Sequence, residues 1–249
     1  MILYLVSAVI VLFFSGLLAM AGLGAAFLFV PLFYYLGVPL AEATPTALLL
    51  NAISLSFATI TYWRARLIHW RVGLPVLVMA VILSPLGARV TPYVDKTILL
   101  ALFAAFLVFA GFMMLFYRPK PRASDPSRVQ EVIAGTSVGS VAGFLGGLLG
   151  VGGGNFIVPV LNWLGLDAKM AAGTTALVVV FSSLSGFLGH ATLGGIDPLF
   201  VGINAVMAAI GSIIGARLMT RQLSSAQLKT LIGVLLWLIA AKMIFDLVR

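Results

Sequence analysis

Two glycine runs interrupt an apolar helical pattern at corresponding places in this chain. The first lies in AGLGAAFLFVPLFYYLG, Ala21 to Gly37, and the second in GLLGVGGGNFIVPVLNWLG, Gly147 to Gly165. Glycine enters left-handed backbone at no steric cost, so such a run ends one helix and lets another begin close by. The segments that follow, Ala25 to Leu36 and Asn155 to Leu164, are short. At about 1.5 Å per residue they reach only about half-way across a bilayer. Longer apolar runs surround them, at about Ile2 to Met20, Ala43 to Trp63, Val72 to Val90, Thr97 to Tyr117, Val129 to Leu149, Ala171 to Ala191, Leu199 to Met219 and Leu228 to Val248. These approach or exceed the roughly 20 residues that cross the hydrocarbon as a helix.

Composition excludes a soluble reading. The chain is 62% hydrophobic and 9% charged, with a mean hydropathy of +1.17, against about 45–50% and about 25% in ordinary soluble domains. The fold expected is an all-α polytopic membrane protein. The first run has neither a basic n-region nor a small-residue cleavage site, which reads as a retained helix. The net charge of +8 reports the orientation of loops across the membrane rather than a nucleic-acid partner. With no Cys and only His69 and His190, neither a thiolate centre nor a metal site is indicated, and no cofactor is expected.

The two glycine runs belong to a repeat with an offset of 128, as shown by Pro31 with Pro159 and Arg89 with Arg217. In the same gapless register fall Gly22 with Gly150, Gly24 with Gly152, Gly37 with Gly165, Thr46 with Thr174 and Ser54 with Ser182. The chain therefore divides into a first transmembrane repeat, 1–117, a polar linker, 118–128 (RPKPRASDPSR), and a second repeat, 129–249. Each repeat has four long helices plus a short half-helix after its glycine break. If the short segments do not change sides, the halves run parallel and the 15 Lys and Arg split 9 to 6 across the membrane. If each break carries the chain across, the halves are inverted and the split becomes 11 to 4. The charge rule favours inverted repeats, with both chain ends outside.

Broken helices in inverted-repeat transporters present backbone N–H groups and the positive end of a half-helix dipole near the midplane. In Gly152, Gly153, Gly154 and Asn155, and in the partner break Gly22, Gly24 and Ala25, small residues open the backbone to a small anion. The alternative is that the glycines serve only close helix packing. Thr46 and Asn51 in one half, and Thr174, Thr175 and Ser182 in the other, lie at helical spacings that face a protein interior. There they either donate to an anion or bond between helices. Arg89 and Arg217, in the same GAR context, either draw anions to the mouths of a path or snorkel at the interface. His190 closes its helix and is a candidate proton sensor or a hydrogen-bonded structural ring. No carboxylate lies deep in an apolar run, so the simplest driving force is the membrane potential, with sodium held at unwound carbonyls the alternative.

The repeated sequence of apolar helix, G-x-G-G-G-type break, F-x-x-P, L-G and A-x-G-T-[ST]-A-L resembles the TauE/SafE family of membrane permeases over nearly the whole chain. The resemblance implies transport of small sulfur-containing anions such as sulfite, sulfoacetate or sulfonates, usually export across a bacterial inner membrane. The first break departs from the pattern, with Ala25, Ala26 and Phe27 where the second has Gly153, Gly154 and Asn155. The second is thus the stronger anion site.

The expected partners are a small anion and the lipid bilayer, with a homodimer left open and no nucleic acid. Competing readings are a non-transporting membrane scaffold and a permease for cations or other small solutes. An intramembrane enzyme ranks last, because no H-E-x-x-H or G-x-S-x-G motif and no paired intramembrane acids occur.

Overall fold

A computed structural model of the chain describes residues 2–116, 127–164, 166–190, 197–221 and 224–248. Among the described residues there are ten α-helices: α1 Ile2–Met20, α2 Ala26–Tyr35, α3 Leu40–Arg64, α4 Trp70–Val90, α5 Lys96–Phe116, α6 Arg128–Leu149, α7 Gly154–Trp163, α8 Ala168–His190, α9 Pro198–Arg221 and α10 Ser225–Val248. No strand occurs among the described residues. Five of the helices, α3, α4, α6, α8 and α9, are long and apolar enough to cross a membrane, and the protein is an all-α membrane protein. Most of the polar linker, 118–126, lies outside the described residues. It ends in a capping box, where Ser127 Oγ accepts from the Gln130 amide at 3.3 Å and Gln130 Oε1 from the Ser127 amide at 3.2 Å. Two polar side chains thereby satisfy first-turn donors that the helix itself cannot.

The outer surface is apolar. Leu5, Phe13, Ile82, Leu188 and Leu238 are each more than half exposed, a pattern that only acyl chains cover without penalty. The polar side chains gather instead on the inner helices α3 and α8, where Thr46, Asn51, Ser54, Thr174, Thr175, Ser182 and Ser183 are all buried.

The helix pairs run largely between the two halves. α1 lies along α9 and α6 along α4; α3 packs on α8 and α9, α8 on α3 and α4, and α5 on α10. Exchanging α1–α5 for α6–α10 turns this set of pairs into itself. Neither half is a separate globule.

What brings α6 so close to α4 is a stripe of glycines at four-residue spacing. A Cβ on Gly139 would stand 2.5 Å from the Val76 carbonyl oxygen, one on Gly143 2.6 Å from Ala80 Cα, and one on Gly147 1.9 Å from the Ser84 carbonyl oxygen. Small residues let backbones meet where lipid supplies no hydrophobic drive. At the same 128-residue offset α1 carries Val11, Ser15 and Ala19, each buried. Most glycines of α6 are therefore explained by packing. The break beyond Leu149 is a different matter, because its glycines have left-handed backbone.

Proline inside a membrane helix leaves a carbonyl without its donor. Pro85 interrupts α4, and the carbonyl four residues earlier, on Val81, accepts instead from Ser185 Oγ of α8 at 2.6 Å. One residue before the proline, Ser84 Oγ donates to the Ser182 carbonyl at 2.8 Å. α4 and α8 are thus stitched beside the second break.

Near the start of α1, Tyr4 O–H donates to Oδ2 of Asp197, which precedes α9, at 2.6 Å, while Asp197 Oδ1 caps α9 through the Leu199 and Phe200 amides. The Tyr4 hydroxyl, and then the backbone amides, hold this carboxyl below the usual carboxylate range. A lowered folded pKa gives stability that is present above the unfolded value of about 3.9 and is lost as pH falls through the folded one. Asp197→Asn should flatten the acid limb of the thermal unfolding midpoint against pH below about pH 4. An unchanged limb would show that the staple contributes nothing.

Candidate site at the two helix breaks

Both breaks are built from left-handed glycines. α1 is followed by Gly22 and Gly24 at φ +67° and +72°, and α6 by Gly150, Gly152 and Gly153 at +69°, +74° and +76°. Where the second break has Gly153 in left-handed backbone, the first has Ala25 at φ −108°. The sequence difference between the breaks is therefore also a difference of backbone path.

Each break seats against the other half. A Cβ on Gly22 would lie 2.0 Å from the Ala172 carbonyl oxygen, and one on Gly150 2.2 Å from Thr44 Cγ2. Ala172 is Thr44 displaced by 128, so the two contacts correspond. The breaks also touch each other, since a Cβ on Gly154 would stand 2.5 Å from the Leu23 carbonyl oxygen. The residues from Gly22 to Ala26 and from Gly150 to Asn155 are buried. In this conformation the two breaks are packed against one another.

Asn51 stands at the junction. Its Oδ1 accepts from the Ala25 amide at 2.7 Å and the Ala26 amide at 3.4 Å, capping the start of α2. Its Nδ2 donates to Ser183 Oγ of α8 at 2.9 Å. A Cβ on Gly24 would fall 2.1 Å from Asn51 Oδ1, and one on Gly152 would fall 2.8 Å from Asn51 Nδ2 and 2.5 Å from Ser183 Oγ. One amide side chain thus meets both breaks, and glycine at 24 and 152 makes the room. A primary amide buried at 0% exposure needs such partners, and three of its four hydrogen-bonding positions are filled.

The second break is held differently. Ser182 Oγ donates to the Gly152 carbonyl at 3.1 Å. The N-cap of α7, Gly153, has no side-chain cap, and among the described residues the amides of Gly153, Gly154 and Asn155 have no hydrogen-bond partner. On α3, α7 and α8 four side-chain atoms are equally unpartnered among the described residues: Ser54 Oγ, Thr59 Oγ1, Asn155 Oδ1 and Thr175 Oγ1, on residues at 1%, 7%, 2% and 0% exposure. Leaving such groups buried and unpaired costs about 1–3 kcal/mol each. The start of α7 combines free amides with the positive end of a helix dipole, worth roughly half an elementary charge. A helix start of this kind can hold an anion without a fixed cation.

The remaining sequence candidates fall around this centre. Thr46 is buried in α3, and Thr174 Oγ1 accepts from the His69 amide at 2.9 Å, tying α8 to the α3–α4 turn. His190 Nε2 donates to the Gly147 carbonyl at 2.8 Å. Its counterpart at the 128-residue offset is Tyr62, whose O–H donates to the carbonyl of Ala19, the counterpart of Gly147. A ring near the end of each inner helix thereby anchors the helix that precedes a break. Arg89 and Arg217 are exposed and form no ion pair among the described residues. Reading from sequence passes over Tyr62, Ser84 and Val179. The pairing of Tyr62 with His190, and of Asn51 with Val179, was nevertheless available in the 128-residue register.

The family model described as "Sulfite exporter TauE/SafE" matches residues 7–243. A probable membrane transporter protein of Methanocaldococcus jannaschii is 28% identical, the match covering 74% of this chain and 71% of that protein. One from Bacillus subtilis is 24% identical over 95% of this chain and 97% of its own length. A plant relative, sulfite exporter TauE/SafE family protein 2 of Arabidopsis thaliana, is 32% identical over 32% of this chain and 18% of its own. No solved structure matches.

Proposed function

The chain belongs to the TauE/SafE sulfite exporter family, and from that premise we propose that it moves a small sulfur-containing anion, such as sulfite, sulfoacetate or another sulfonate, outward across a bacterial inner membrane. At the coarser level it is a membrane permease and not an enzyme. The observation that carries the finer reading is the start of α7. There the amides of Gly153, Gly154 and Asn155 are buried and free of partners beside an unsatisfied Asn155 side chain. An oxyanion supplies the acceptors those donors lack, and turning the Asn155 amide presents its NH2 to the same ligand.

The halves act as inverted repeats, with α2 and α7 carrying the chain part-way through the membrane between long helices. Moving one half against the other opens the packed breaks to one side and then the other. Export needs no coupled ion: expelling one negative charge from an interior at about −100 mV releases roughly 2.3 kcal/mol.

Asn155→Leu tests the assignment. The position at the same offset in the first half is Phe27, an apolar residue in the same place of its short helix, so the fold should accept leucine. Sulfite and sulfoacetate efflux from proteoliposomes should fall about tenfold or more, the weight of one or two lost hydrogen bonds, with the unfolding midpoint little changed. Wild-type flux in the variant would sink the site. A wild-type protein that neither binds nor moves any anion in a thermal-shift panel of sulfite, thiosulfate, sulfoacetate, taurine and carboxylates would instead favour a non-transporting scaffold.

A further inference from the structure

Asn51 and Val179 occupy equivalent positions, 128 residues apart, on the two inner helices. Each faces the second glycine of its own break: the Cβ position of Gly24 is 2.8 Å from Asn51 Cγ, and that of Gly152 is 3.0 Å from Val179 Cγ1. The consequences for the backbone are opposite. At the first break the Asn51 carbonyl oxygen sits 2.7 and 3.4 Å from the amides of residues 25 and 26. At the second, the corresponding amides of Gly153 and Gly154 have no hydrogen-bond partner among the described residues, and the side chain equivalent to Asn51 is a valine, which offers no acceptor.

We propose that this asymmetry sets the number and place of the anion sites: Asn51 fills the first break as a built-in substitute for an anion oxygen, and Val179 leaves the second open to one oxyanion per chain. The proposal rests on the transport reading given above and adds to it the stoichiometry and the residue that decides it. A second observation points to the same place. Thr175 lies one helical turn before Val179 on the same face of α8, and its hydroxyl is wholly buried without a partner. The ligand class follows from the Asn51 geometry, in which one oxygen accepts from two successive amides. A sulfite or sulfonate group can place an oxygen there while a second oxygen accepts from Thr175.

Val179→Asn is the test, since it writes the cap of the first break into the second. In anion-free detergent its unfolding midpoint should equal or exceed that of the wild type, because the new carbonyl takes up the orphaned amides. Its affinity for sulfite and sulfoacetate, read by thermal shift and by proteoliposome efflux, should fall about tenfold or more, because the anion must displace an internal cap. Val179→Ala, which leaves the amides open, should keep its anion response. Wild-type affinity in Val179→Asn, or a lowered anion-free midpoint, overturns the proposal. If Val179→Asn does not fold, Val179→Thr, with the shape of valine and one hydroxyl, must show an intermediate loss, and wild-type affinity there overturns it equally. An absence of any anion response in the wild type removes the transport reading itself. That outcome is distinct from a wild type that responds beside a Val179→Asn protein that responds as well.

Discussion

Replacing Asn51 with leucine is expected to cost about 3–5 kcal/mol of stability, the range in which breaking a buried hydrogen-bond network falls. Leucine is close in size, so the loss comes from polar groups left behind and not from a cavity. The Ala25 and Ala26 amides lose their acceptor, and Ser183 loses the donor that ties α8 to α3. All lie where water does not reach. Asn51→Asp keeps the acceptor at a helix N-terminus, where negative charge is tolerated, and should recover part of the loss. Chemical denaturation in mixed micelles separates the two variants. Equal destabilisation by leucine and aspartate would mean that the capping bonds carry little of the energy.

Gly147→Ala should be comparably damaging for a mainly steric reason. The added methyl group would be placed 1.9 Å from the Ser84 carbonyl oxygen, a backbone atom that cannot rotate away, so α6 and α4 must separate. Overpacking typically costs 1–3 kcal/mol, occasionally more, and here the His190 bond to the Gly147 carbonyl is disturbed as well, so about 3 kcal/mol is expected. Gly202→Ala is the control. Nothing lies within 4 Å of a Cβ there, and alanine is the better helix former by about 1 kcal/mol, so that variant should match or exceed the wild type. If both alanine variants unfold at the wild-type midpoint, α4 and α6 are not held at the observed distance. Gly37→Ala gives a third level. Its φ of +91° is unfavourable for alanine, but its surroundings are empty, so only backbone strain of about 1 kcal/mol should appear.

Local pattern and arithmetic determined much of this protein. Apolar runs of membrane length place the helices because a backbone in lipid must satisfy its hydrogen bonds within the segment, which fixes secondary structure before any tertiary contact forms. Glycine runs mark the breaks because left-handed backbone excludes most side chains, and the 128-residue register pairs the residues that end up in equivalent contacts, Gly22 with Gly150 and Tyr62 with His190. Only the tertiary structure decided which partner each group meets. The sequence cannot show that α6 runs along α4 rather than a helix of its own half, that the α6 glycines serve packing while Gly150, Gly152 and Gly153 serve the break, or that Ser185 repairs the carbonyl freed by Pro85. It shows Asn51 opposite Val179 as a mere difference of polarity. In three dimensions that difference becomes a capped break beside an uncapped one, because the worth of a buried donor depends on whether an acceptor lies within about 3 Å of it, and that distance is set by residues far apart in the chain.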